Sequence, residues 1–139
     1  MTSGTSDEIR ERVRRAPVGG AVVLLLDGDV LTRSAVAAYL RHCGYTVLET
    51  AAVAEAREVL ASGRRVDVAF LDIDGDADGE AFALAQWMRR EHAVTKVILA
   101  AGPARTASEA GELCENGPMR ARPYDHRLLE REIRRLLAL

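Results

Sequence analysis

The chain has 139 residues, the size of one domain with a real buried core. With 48% hydrophobic and 29% charged residues its composition is that of a soluble globular protein, which excludes disordered, fibrous and membrane-embedded classes. A net charge of −2, from 19 Lys and Arg against 21 Asp and Glu, excludes the strongly basic field of a nucleic-acid or anionic-membrane binder.

Residues 1–20 read as an arm. Ser6 is placed to cap a short charged helix, DEIRERVRR, that Pro17, Gly19 and Gly20 end. The segment has no apolar core of the kind a secretion signal needs, and no run in the chain reaches the roughly 18 apolar residues of a membrane span. A cytoplasmic protein is expected. From Ala21 the pattern becomes regular. AVVLLL (21–26) is a continuous apolar run bounded by Gly20 and Asp27, the signature of a strand buried on both faces. Leu31, Ala35, Val36, Tyr39, Leu40 and Cys43 follow at helical spacing, closed by Gly44. YTVLE (45–49) is a second strand. Val53, Ala56, Val59 and Leu60 mark a second helix, and VDVAFL (66–71) a third strand. Phe82, Ala85, Trp87 and Met88 mark a third helix, where Trp87 and Met88 fall at core spacing. VTKVILAA (94–101) is a fourth strand, stopped by Gly102-Pro103. A helix rich in small and acidic residues spans about 105–115. PMRA (118–121) is a short fifth strand, and Asp125 caps a last helix with Leu129, Ile133, Leu136 and Leu137 on one stripe.

Strands and helices alternate five times. That order predicts a doubly wound α/β fold, a parallel sheet covered on both faces, with its functional site at the carboxyl ends of the strands. Asp27 and Asp29 follow the first strand; Asp72 and Asp74 follow the third. The fold therefore sets two acidic clusters side by side. The remaining reactive residues are less informative. Cys43 and Cys114 form no spaced pattern and read as buried or free thiols of a reducing compartment rather than a disulfide or metal pair. His42, His92 and His126 share no spacing and read as surface residues. Arg127, Arg131, Arg134 and Arg135 give the last helix a basic face interleaved with Glu130 and Glu132, a solvated face or a partner surface.

Residues Asp72, Asp74, Asp76 and Asp78 stand on alternate positions, and three chemistries use such a cluster. A calcium loop on Asp74, Asp76, Asp78 and Gly79 needs a carboxylate at its twelfth position, which is Ala85 here, and a preceding helix where this chain has a strand. A strand ending Asp72-Ile73-Asp74-Gly75 resembles the first motif of haloacid-dehalogenase-type phosphatases. That resemblance would require a threonine after the glycine, a downstream hydroxyl and a lysine beyond a strand end. Asp76 follows Gly75, the next strand ends Ala100-Ala101, and Lys96, the only lysine, lies inside that strand. An enzyme is not expected. The third chemistry is a phosphate-accepting aspartate.

The third is the one the rest of the chain supports. LLLDGDVLTRSAVAAYLRHCGYTV, VDVAFLDIDGDADGEAF and Arg122-Pro123-Tyr124 together resemble the receiver domain of two-component response regulators over residues 21–139. The resemblance implies a five-stranded, flavodoxin-like (βα)5 fold with strand order 2-1-3-4-5. It implies Asp72 as phosphoacceptor, an acidic pocket of Asp27 and Asp29, and a weak Mg²⁺ site on Asp27, Asp72 and the main-chain carbonyl of Asp74. It further implies a histidine kinase or phosphotransfer protein as donor, a target protein, and a homodimer through the fourth helix, fifth strand and fifth helix. The bond before Pro123 is expected to be cis by the same resemblance.

The sequence departs from that family's pattern at the residues that would bind and sense the phosphoryl group. The second of two adjacent acids is Gly28, so one metal carboxylate is missing. The hydroxyl residue after the fourth strand is Ala101, the switch aromatic is Met119, and the lysine is Arg122. Phosphoryl transfer onto a carboxylate brings two anions together and needs cations to offset the repulsion. Two functions follow: a phosphorylatable signalling protein without an output domain, or a pseudo-receiver that acts as a phosphorylation-independent protein-interaction module.

Overall fold

The computed structural model describes residues 20–116, together with Arg131, Arg134 and Arg135, which are helical and exposed. Four strands and four helices alternate: β1 (Val22–Leu26), α1 (Val30–His42), β2 (Thr46–Thr50), α2 (Val53–Ala61), β3 (Val68–Asp72), α3 (Glu80–Glu91), β4 (Lys96–Ala100) and α4 (Pro103–Asn116). The strands form one parallel sheet in the order β2-β1-β3-β4. Among the described residues no helix is long and apolar enough to cross a membrane.

Alternation along each strand sorts the apolar run into two cores. Val23 and Leu25 of β1, with Val68 and Phe70 of β3, face one side. Leu24 and Leu26, with Ala69 and Leu71, face the other. This is why the central strands read as unbroken apolar runs: both of their faces are buried. The first side is covered by α1, through Val36, Leu40 and Cys43, and by α4, through Ala107, Ala110, Leu113 and Cys114. The second is covered by α2, through Ala56 and Leu60, and by α3, through Leu84, Ala85 and Met88. Met88 is fully buried, while Trp87 packs at the edge of the same core under Arg57, whose guanidinium lies 4.5 Å from the ring centre.

Local signals set the element ends. Gly20 enters β1 at φ +87°, and a Cβ there would collide with the carbonyl oxygen of Gly44, so only glycine lets the two loops touch. Pro103, a stop signal in the sequence reading, instead opens α4 at its first position, where the missing N–H costs nothing. The amino-terminal edge of the sheet is tied by Asp67. Its buried carboxylate accepts the Val22 N–H at 2.8 Å and an ion pair from Arg65 at 2.8 Å.

Two expectations are corrected here. The sheet has four strands among the described residues, in the order 2-1-3-4, not five in the order 2-1-3-4-5. Helix α4 lies with α1 on one side of these four strands, opposite α2 and α3. The expected fifth strand at 118–121, the Arg122-Pro123 bond and the arm at 1–19 lie outside the described residues, as does most of the last helix. The second correction concerns the cysteines. Both are buried as expected, but they form a disulfide, with Cα atoms 5.7 Å apart. A separation of 71 residues leaves no spacing signal; the packing of α1 on α4 creates the pair.

Candidate functional site: an acidic pocket at the carboxyl edge of the sheet

β1 and β3 are neighbours in parallel, with Leu26 opposite Leu71, so the next residues, Asp27 and Asp72, emerge together. β4 pairs Ala100 with Asp72, which brings Ala101 and Gly102 to the same edge. Strand register alone thus assembles the pocket from three loops.

Asp27 is 2% exposed. Its N–H donates to the Thr50 carbonyl at 3.1 Å, and its own carbonyl accepts Arg33 Nη1 at 2.9 Å. Oδ1 accepts the Asp29 N–H at 2.9 Å, but Oδ2 is buried with no donor. Burial pushes the carboxyl up to about 6, the Asp29 amide pulls the other way, and the neighbouring charges of Asp72 and Asp29 add to the rise. Asp72 is half-buried, and its Oδ1 accepts the Asp74 N–H at 3.0 Å. Burial raises it too, and so does the Asp74 charge, while the amides of Asp74 and Gly102 and a hydrogen bond with Asp27 favour the charged form. The two carboxyls therefore compete for charge. A proton on Asp27, donated to Asp72, satisfies the orphaned oxygen; so does a cation between them.

The other acids at this edge have separate duties. Asp29 caps α1, accepting Leu31 N–H at 3.1 Å and the Thr32 hydroxyl at 2.9 Å. Those bonds, the hydroxyl's first, hold its carboxyl below the usual range. The Asp74 side chain is exposed. Asp76, not Asp78, closes the start of α3, accepting the N–H groups of Ala81 at 3.0 Å and Phe82 at 3.2 Å. Gly28 is exposed, and a Cβ there would meet only the Ala51 carbonyl oxygen at 3.7 Å, an ordinary contact. Ala101 is exposed beside the pocket; Met119 and Arg122 lie outside the described residues. Among the described residues no three His, Cys, Asp or Glu side chains are grouped to hold a metal ion.

No family model and no curated protein matches the sequence. A solved structure does match in three dimensions: a response regulator from Thermotoga maritima, 18% identical, with a TM-score of 0.52, covering 86% of this chain and 98% of that one. The fold is receiver-like. At that identity the likeness concerns the fold, and the chemistry has to come from the pocket itself.

Three residues that shape the receiver-like domain escaped the sequence reading. Arg33 bridges the Asp27 carbonyl and the Glu49 carboxylate, 3.3 Å away. Asp67 binds the opposite edge of the sheet. Tyr45 carries its buried hydroxyl to the Leu113 carbonyl at 2.6 Å, fixing β2 to α4. Helical and strand periodicity report only which residues are apolar, so polar side chains that bond across the fold leave no such mark.

Proposed function

We propose that this chain is a receiver-like signalling module in which Asp72 is the phosphoacceptor and Asp27 holds a weakly bound divalent cation beside it. The observation that carries this reading is the orphaned, buried Oδ2 of Asp27 set against the Asp72 carboxylate. A structural carboxylate at that depth normally has its oxygens satisfied by donors. The residues present fit a cation in part: two carboxylates, with the Asp74 carbonyl as the third oxygen by resemblance, and no acid at position 28. When bound, Mg²⁺ would offset the charge of an incoming phosphoryl group. Asp72 would supply the nucleophile. Oδ1 is engaged by the Asp74 amide, so Oδ2 attacks phosphorus as the donor's P–N bond breaks. The Gly102 N–H, which favours the charged form of Asp72, would be a donor beside a phosphoryl group there. The donor by this reading is a histidine kinase or phosphotransfer protein.

A second reading has a specific observation behind it. Helix α4, which leaves the pocket at Gly102, is fastened to α1 and β2 through Cys43–Cys114 and Tyr45–Leu113. With Ala101 offering no hydroxyl, a phosphoryl group at Asp72 has little to pull on. That favours a pseudo-receiver, a binding module that a partner recognises in one conformation.

Amide NMR with Mg²⁺ and then beryllofluoride, a mimic of the aspartyl phosphate, tests both. Shifts at Asp27, Asp72 and Gly102 are expected, with Gly28→Asp tightening Mg²⁺ by about tenfold, worth about 1.4 kcal/mol. Shifts that extend along α4 would establish a working switch; shifts that stop at the pocket would support the pseudo-receiver. No shift in either protein at millimolar metal would refute the phosphoacceptor reading.

A further inference from the structure

The Cys43–Cys114 bond lies at one end of a helix whose other end borders the acidic pocket. Cys43 caps α1, and Cys114 sits in the last turn of α4; they are 1% and 0% exposed. At its start α4 follows Gly102, whose N–H lies beside Asp72. The 14-residue helix spans about 20 Å at 1.5 Å per residue.

α4 is poorly supplied with other anchors. Its buried hydrophobic side chains are Ala107, Ala110, Leu113 and Cys114, a single large aliphatic group among them. α1 buries Val36, Tyr39 and Leu40, and α3 buries Leu84 and Met88. Apolar stabilisation scales with area, so α4 is held lightly by packing, as is α2 with only Ala56 and Leu60 buried, and of the two α4 alone carries a covalent tie. The only large aliphatic anchor, Leu113, sits next to the cysteine, and its carbonyl takes the Tyr45 hydroxyl. The attachments are concentrated at one end.

We propose that Cys43 and Cys114 are a redox clasp: the disulfide locks α4 onto α1, and its reduction frees α4 while the sheet, α1, α2 and α3 stay folded. The partner is a dithiol reductant of the thioredoxin type. One of its thiolates attacks a cysteine sulfur as the last turn of α4 frays, giving a mixed disulfide. Its second thiol then displaces the remaining protein sulfur. The S–S bond of the clasp breaks, two electrons and two protons leave both cysteines as thiols, and the reductant ends as a disulfide. Oxidised glutathione reverses the step. The clasp operates whether or not Asp72 is phosphorylated, and it sets how far a change at Gly102 can travel along α4.

The test is hydrogen exchange on the full chain, equilibrated in glutathione buffers from fully oxidising to fully reducing, with alkylation and intact mass to count thiols. On reduction, amides of α4 from Thr106 to Cys114 are expected to exchange on the order of 100-fold faster, while those of β1 and β3 change by less than about threefold. Circular dichroism should keep most of its helical signal, and a Cys43→Ser, Cys114→Ser variant should match the reduced protein. Equal acceleration in the central strands would show a structural staple and overturn the proposal. Unchanged α4 exchange, or no disulfide at any glutathione ratio, would overturn it too.

Discussion

Replacing Asp27 by asparagine should stabilise the protein at neutral pH, although it removes a buried, hydrogen-bonded side chain. Burial, opposed by the Asp29 amide and reinforced by the charge of Asp72, lifts Asp27 from 3.8 to about 6 in the fold. At 1.36 kcal/mol per pH unit, keeping it ionised costs the folded state about 3 kcal/mol. The sign follows from the raised value. Below about pH 4 the group is protonated both folded and unfolded, and no penalty applies. Between about pH 4 and 6 folding takes up a proton, so stability falls as pH rises, and above about pH 6 the full penalty remains. Asparagine keeps an oxygen for the Asp29 N–H and turns an NH₂ toward Asp72, which removes the penalty at every pH. Urea unfolding of both proteins, followed by the single tryptophan, Trp87, without reductant, measures the gap. Asp27→Asn is expected to be more stable by about 2–3 kcal/mol at pH 7.5 and within about 1 kcal/mol at pH 4. Millimolar Mg²⁺ at pH 7.5 should narrow the gap by stabilising only the wild type. A variant less stable at pH 7.5, or a gap independent of pH, would refute the account of two carboxyls competing for charge.

Other parts of the structure make further predictions. Tyr45→Phe leaves the buried Leu113 carbonyl without its 2.6 Å donor and should cost about 1–3 kcal/mol in urea unfolding. Asp76→Ala removes the acceptor for two amides at the start of α3 and should cost about 1 kcal/mol, whereas Asp78→Ala should be neutral within about 0.5 kcal/mol; equal effects would mean the wrong aspartate is credited with the cap. Asp67→Ala strips the Val22 amide and Arg65 of a buried partner and should cost about 3 kcal/mol or more, read as a fall in thermal midpoint, with no change in Mg²⁺ affinity at the opposite edge.

Much of the architecture was legible because it depends on local pattern. Continuous apolar runs at 21–26 and 66–71, helical spacing between them and the glycines at 44 and 63 gave elements within two or three residues of those observed. The parallel order by itself brings Asp27 and Asp72 to one edge of the sheet. Asp29 was harder. In sequence it is a third acid at the pocket, yet its distance to Leu31 and Thr32 makes it the cap of α1. Asp76 and Asp78 were also inseparable by sequence, since both precede α3 and only the path of the loop decides which carboxylate reaches the free amides.

The sequence by itself determined the alternation of strand and helix, the two-sided burial of β1 and β3, and the meeting of their terminal aspartates, because periodicity and parallel register follow from the chain alone. Only the tertiary structure decided which face α4 covers. Its weak stripe of alanines carries no label for one side of the sheet, and the choice rests on contacts with α1 more than 60 residues away. From that choice come the Cys43–Cys114 bond and the Tyr45–Leu113 tie. The charge state of Asp27 belongs with them, since it depends on how deeply three loops bury one carboxyl and which oxygens they leave without a donor.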